Sequence, residues 1–172
     1  RAIGKALRPW PWCLIGGRAV EVWTNPPQTP DVDVLAAVDD EHVPLAVKRM
    51  KAVGMKLNDW ATGLGSPMLF FAHKQTKVEV DVIGAYDELH FAVIREAVQR
   101  NVRRVGFRVG HAEGIVMLKA QAATDLGRAA DKRARDRRAI YNIAASVRLR
   151  KPYIRTMLAT HGWTEEAALL RL

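Results

Sequence analysis

Asp31 and Asp33 stand two residues apart in "TPDVDVLAAV", residues 29–38, inside a run that is otherwise largely apolar. Side chains of a strand alternate, so a strand here puts both carboxylates on one face and Val32 and Val34 on the other. Two adjacent carboxylates repel unless a cation lies between them. Mg²⁺ takes oxygen ligands, and needs only one or two protein carboxylates when phosphates supply the rest. A second apolar segment, "KVEVDVIGA" at 77–85, offers Asp81 with Glu79 on the same face. Asp31, Asp33 and Asp81 are therefore the expected metal ligands. The plainer alternative for each aspartate is a turn cap or a solvent-facing place at a sheet edge.

Gly16-Gly17 closes the apolar run "WCLI" at 12–15. The bland reading is a strand-to-helix turn. The functional reading is that the backbone N–H groups opening the next helix face an anion, with no Cβ to block its approach. The triphosphate of an NTP is such an anion, and Mg²⁺ on the aspartates would bridge the same phosphates.

These residues need a scaffold. The apolar pattern predicts strands at Trp12–Ile15, Asp31–Val38, Met68–Ala72, Thr76–Ile83 and Val105–Val109, with a hairpin through "HKQ". Helices are expected at Arg18–Trp23, Glu41–Val53 (with Gly54 as C-cap), Glu88–Gln99, Ala112–Leu126 and Asp131–Val147, and one or two short ones within Pro152–Leu172. The prolines of Thr24–Pro30 forbid helix and central strand there, and "NDWATGLGSP" reads as a loop. The order implies a mixed α/β (α+β) fold: residues 1–110 a small sheet flanked by helices, and residues 111–172 a helical part packed on it.

Composition narrows the class. The 172 residues hold 27 Lys and Arg against 18 Asp and Glu, a net charge of +9 with a pI near 10.1, which favours polyanionic partners. No apolar run approaches the ~20 residues that span a bilayer. Arg1–Trp12 lacks the apolar segment of a signal peptide, so a cytoplasmic location is expected. Cys13 alone excludes an intramolecular disulfide and reads as a small core residue. The five histidines show no paired ligand spacing.

The pattern of apolar strand, Gly-Gly, short helix, proline-bearing loop, Thr29-x-Asp31-x-Asp33 and a later strand aspartate resembles the DNA polymerase β-type nucleotidyltransferase superfamily. Within it, residues 12–150 look most like the AbiEii-like nucleotidyltransferases, toxins of toxin–antitoxin systems. The chain has Pro27 where members often carry arginine. The resemblance implies two Mg²⁺ ions on Asp31, Asp33 and Asp81, and an NTP held by Gly16, Gly17, Arg18 and Thr29. It also implies that Lys119, closing "IVMLK", contacts nucleotide phosphates and that Asp136, within a basic run, belongs to the site.

The residues of the helical half bear on those two roles. Lys119 falls on the apolar stripe Ile115, Leu118, Ala122 and Leu126, where a snorkelling lysine is the alternative. Asp136 lies on the core-facing stripe of Ile140, Ile143, Ala144 and Val147, where pairing with a neighbouring arginine is the alternative. Arg128, Lys132, Arg133, Arg135, Arg137, Arg138, Arg148, Arg150 and Lys151 crowd around it, and phosphate binding is one use of such density. A plain basic surface or a docking face for an acidic antitoxin are the others. The expected activity is transfer of an NMP from an NTP to a hydroxyl, foremost of RNA such as a tRNA 3′ end, with Arg133, Arg137 and Arg138 holding the acceptor. A protein or small-molecule acceptor is the runner-up. A catalytically silent binding module is the third reading, disfavoured by the intact aspartate set.

Overall fold

The computed structural model describes residues 2–24, 29–63, 66–102 and 104–160. In chain order the elements are α1 (Ala2–Ala6), β1 (Trp12–Ile15), α2 (Gly16–Thr24), β2 (Val32–Ala36), α3 (Val43–Ala52), β3 (Met55–Gly63), β4 (Ser66–His73), β5 (Glu79–Gly84), α4 (Glu88–Arg95), β6 (Val98–Val102), β7 (Val105–Val109), α5 (Ala112–Thr124), α6 (Ala130–Ser146) and α7 (Lys151–Thr160). A 3₁₀ turn at Asp40–His42 leads into α3. The result is a mixed α/β fold around a seven-stranded sheet of order β3-β4-β5-β2-β1-β7-β6. β1 runs antiparallel to β2, and β2 runs parallel to β5.

Strand alternation sorts the two central strands onto two cores. Val34, Ala36, Val80 and Val82 pack with Leu7, Met50 and Phe71, beneath α1 and α3. Leu35 and Ile83 face the opposite core, which α2, α4, α5, α6 and α7 supply. Asp33 and Asp81 share the parity of Leu35 and Ile83, so they point toward the helices of that second layer. Ile140 and Ile143 anchor α6 in the same core, each fully buried and worth about 1.5–3 kcal/mol of transfer free energy. The helical part thus packs on the sheet through one continuous apolar cluster.

Several expectations need correction. Most of "NDWATGLGSP", read as a loop, is strand: its residues 58–63 belong to β3 and 66–67 to β4, which pair antiparallel with a register shift between Leu57 and Asp59. β3 is an edge strand exposed from Asp59 to Thr62, so polar residues there cost little, and a bulge with a charge is how edges are protected. The helix expected to Gln99 stops at Arg95, because Val98–Val102 pairs with β7 as the opposite edge strand. α1 was not expected. The stripe on α5 fails at Leu126, which lies past the helix end and is 88% exposed. Ala144 is exposed as well. Gly54 does end α3 with φ +87, its N–H on the Lys51 carbonyl, a conformation that only glycine adopts without strain. Pro27, and the helical reading beyond Thr160, lie outside the described residues.

Candidate active site

The site is built where β1 ends, β2 begins and β5 passes beside them. Asp33 is the register partner of Ile15 on one side and of Asp81 on the other. Gly16 follows Ile15 at φ +63, and a Cβ there would sit 1.8 Å from Asp33 Oδ2. Glycine is required twice over, by the left-handed backbone and by the carboxylate lying against it. The Gly17 N–H lies near enough to that carboxylate to favour its charged form. Asp33 thus lies against the Gly16-Gly17 turn.

Asp31 stands one residue before β2 and is fixed locally. Thr29 Oγ1 donates to Asp31 Oδ2 at 3.1 Å and accepts the Asp31 N–H at 3.2 Å. Arg18 is turned aside: Nη1 pairs with Glu21 at 2.8 Å, and Nη2 donates to the Pro30 carbonyl at 3.2 Å. In this state both Arg18 and Thr29 brace the segment that delivers Asp31. Neither is extended toward open space.

The electrostatics follow from the crowding. Burial pushes the Asp33 carboxyl above its ordinary value, while Lys119, the Gly17 N–H and Arg128 pull it back and Asp31 adds to the rise. Asp81 is pushed up to about 6, first by burial, then by the charges of Asp33, Asp31 and Glu79. Each carboxylate thus carries a penalty that a cation would relieve.

Among the described residues no set of three or more His, Cys, Asp and Glu side chains closes into a metal cluster. Mg²⁺ does not require one, since it keeps waters and takes phosphate oxygens beside one or two carboxylates. The donors fit an open oxygen site completed by a substrate, not an all-protein cage.

Opposite the acids lies a buried carboxylate with two cations. Asp136 is 2% exposed, and its Oδ1 receives Lys119 Nζ at 2.6 Å while Oδ2 receives Arg128 Nε at 2.8 Å. α6 carries Asp136 inward because Ala139, Ile140 and Ile143 on the same stripe are buried. Both cations act on Asp33, so they lie within electrostatic reach of the aspartates. Arg128 is the residue that sequence reasoning left unassigned within the basic run. Its only sequence signal was proximity to Asp136.

The remaining acceptor candidates separate. Arg133 donates from Nη1 to the Arg128 carbonyl, tying down the turn that presents Arg128. Arg137 and Arg138 are exposed on α6, as is Lys132, while Arg135 pairs with Asp131 at 2.8 Å. The structure therefore gathers Gly16, Gly17, Asp31, Asp33 and Asp81 at one strand end and sets Lys119, Arg128 and Asp136 across from them. Arg137 and Arg138 stay on the outer surface.

No family model matches the chain, and no curated protein matches it in sequence. Solved structures do match in fold. An antigenic nucleotidyltransferase-like protein from Paracoccidioides brasiliensis superposes with a TM-score of 0.57 at 16% identity, over 99% of this chain and 88% of that one. ANT(2'')-Ia in complex with adenylyl-2''-tobramycin gives 0.56 at 15% identity, over 92% and 95%. The same antibiotic-resistance factor in solution gives 0.50 at 14%, over 94% of each chain. No helix among the described residues is long and apolar enough to cross a membrane. The chain has the fold shared by nucleotidyltransferases and nucleotidyltransferase-like proteins.

Proposed function

We propose that this chain is a Mg²⁺-dependent nucleotidyltransferase that moves an NMP from an NTP to an acceptor hydroxyl. The observation that carries the reading is the Asp33–Asp81 register pair beside the Gly16-Gly17 turn. Residues 1–110 would form the catalytic core, and 111–172 would contribute Lys119, Arg128 and Asp136. Asp31, Asp33 and Asp81 would hold the ions, which when bound supply charge neutralisation for the phosphoryl group and the leaving pyrophosphate. Lys119 and Arg128, swung from Asp136, meet the triphosphate charge. The Gly17 N–H favours the charged form of Asp33. Asp81 also accepts the proton of the attacking hydroxyl.

RNA is the acceptor that the surface supports best, a tRNA 3′ end being the specific candidate. Lys132, Arg137 and Arg138 present unopposed charge on α6, beside the element that delivers Asp136. A toxin role with an acidic antitoxin covering that face, in a cytoplasmic setting, is consistent with the same charge. A second reading takes a small polycationic acceptor, drawn by the acids Asp31, Asp33, Glu79 and Asp81, as the fold likeness to ANT(2'')-Ia suggests.

The test is incubation with each α-labelled NTP and Mg²⁺, with total RNA, cell protein or an aminoglycoside as acceptor. Label entering RNA, lost in Asp33→Asn and reduced in Arg137→Glu/Arg138→Glu, supports the first reading. Label entering the aminoglycoside alone moves the assignment to the second. Transfer that survives Asp33→Asn at wild-type rate sinks the metal assignment itself.

A further inference from the structure

A cavity of about 390 Å³ opens at the far end of β1, between α1 and the β6–β7 hairpin. Trp12 opens β1 and Gly16 follows it, so about 13 Å of strand separates this cavity from the aspartates. Nothing derived above uses it.

Three features define its chemistry. Lys5, Arg8 and Arg108 line it, no acidic side chain does, and none of the three makes an ion pair among the described residues. Arg108 gives Nη2 to the Ile94 carbonyl at 2.9 Å, on the α4 side of β7 and away from Phe107, its neighbour in the strand, so Lys5 and Arg8 are the cations left to a ligand. Gathering unopposed cations around a concavity is unfavourable unless an anion answers them.

The second feature is a corner of two rings. Trp12 and Phe107 meet edge to face, with centroids 6.4 Å apart and planes at 80°. A planar heterocycle stacked on one ring presents its edge to the other, an arrangement that aromatic quadrupoles favour. An acidic peptide would use the cations and leave this corner idle.

The third feature is the absence of side chains at two lining positions. Gly4 lies against the indole, where a Cβ would be 3.2 Å from the ring, and at Gly106 a Cβ would press on Gln99 Nε2 at 2.8 Å. At both positions the place of a Cβ is already taken, by the indole and by the Gln99 amide, so glycine lets these side chains lie directly on the backbone that walls the cavity. The positive charge also continues along the hairpin through the exposed Arg100 and Arg104, further than one phosphate reaches.

We propose that this cavity binds one nucleotide unit of a single-stranded nucleic acid, its base in the Trp12–Phe107 corner and its phosphates on Lys5 and Arg8. Aromatic stacking plus a cationic groove is the general chemistry of single-strand binding. The inference stands whether or not the aspartates catalyse transfer.

The probe is a fluorescein-labelled RNA decamer containing 4-thiouridine, followed by anisotropy and then photocrosslinked for peptide mapping. Trp12→Leu should weaken binding by about 5- to 150-fold, the range for one lost base stack. Lys5→Glu/Arg8→Glu, at two exposed positions, should flatten the log–log salt slope by roughly 1.4, or 0.7 per phosphate contact. Crosslinks should fall on the peptides bearing Trp12 or Phe107. If Trp12→Leu does not fold, the charge reversal and the crosslinks decide alone. Unchanged affinity and slope in the charge reversal, or crosslinks only elsewhere, overturn the proposal. AMP displacing the decamer at equal concentration assigns the cavity to a free nucleotide, and polyglutamate doing so assigns it to an acidic peptide; either result overturns the strand.

Discussion

Asp33 on β2 and Asp81 on β5 are direct register partners across a parallel strand pair, with their carboxylates on one face of the sheet. Without a counterion each is unfavourable to the other. The folded chain holds them together because Val34, Leu35, Val80 and Val82 around them are buried in two cores.

The repulsion sets the sign of the first expectation. Asp33→Asn keeps an oxygen for the Gly17 N–H and removes one charge, so the metal-free protein should melt at the same or a higher temperature at pH 7. Transfer should fall by at least about 100-fold, since the lost group is aimed at developing charge. A thermal melt beside a transfer assay separates the two effects, and a clear loss of stability would contradict the account.

A pH dependence follows from Asp81. Its carboxyl moves from the ordinary 3.8 to about 6 on folding, so the folded state holds that proton more tightly than the unfolded chain. Its contribution is fully present below pH 3.8 and is lost as pH rises through about 6. Because the lowered His111 and Glu113 oppose it, the measurement is a difference: urea midpoints of the metal-free protein from pH 4 to pH 7 should fall more steeply than those of Asp81→Asn. The raised Asp33 acts in the same direction as Asp81 and remains in both proteins.

Asp136 and Lys119 should not be equivalent when removed. Asp136→Ala strands two cations at the rim of the core and should cost about 3–5 kcal/mol, the range for breaking a buried pair. Lys119→Met leaves Arg128 on the same carboxylate at 2.8 Å and should cost clearly less, while weakening NTP affinity. Denaturation of both variants with nucleotide titration of Lys119→Met checks the asymmetry; equal destabilisation would show that Arg128 contributes nothing.

Gly16→Ala tests the turn. The left-handed backbone alone costs about 1–2 kcal/mol for a side chain, and the new methyl must also displace the Asp33 carboxylate. Loss of both stability and transfer is expected, with a shift in Mg²⁺ affinity as the readout specific to Asp33.

Cys13 should be inert in the native protein. Burial pushes its thiol up to about 12, against a smaller pull from Arg108, and Sγ points to the Val93 carbonyl at 3.9 Å. Ellman's reagent at pH 8 should label one thiol only after denaturation.

The strand aspartates were legible in the sequence because a period-two apolar frame gives a charged residue a definite face. That β5 lies beside β2 followed only from the chemistry, a third acid on a neighbouring strand, since nothing local to Asp33 says which strand pairs with it. Gly54 was readable for a local reason, a helix ending at a residue free to take positive φ. β6 was missed because "VQRNV" has an exposed polar middle, and edge strands need no alternation to persuade the chain. The place of Arg128 was hidden more deeply. It depends on the turn after α5, pinned by Arg133, and on Asp136 being the side of α6 that is buried. Leu126, read as core, shows the converse: two residues past the helix end, the stripe loses its direction.

The pairing of β2 with β5 also has a kinetic side. α3, β3 and β4 lie between those strands in sequence, so the two carboxylates meet only after a long loop has closed. Local hairpins and helices can form with no penalty from the site, and the electrostatic opposition arrives with the non-local contact that joins β5 to β2. An ion or a metal–nucleotide complex present at that stage would act on the rate of β5 docking as well as on the finished protein.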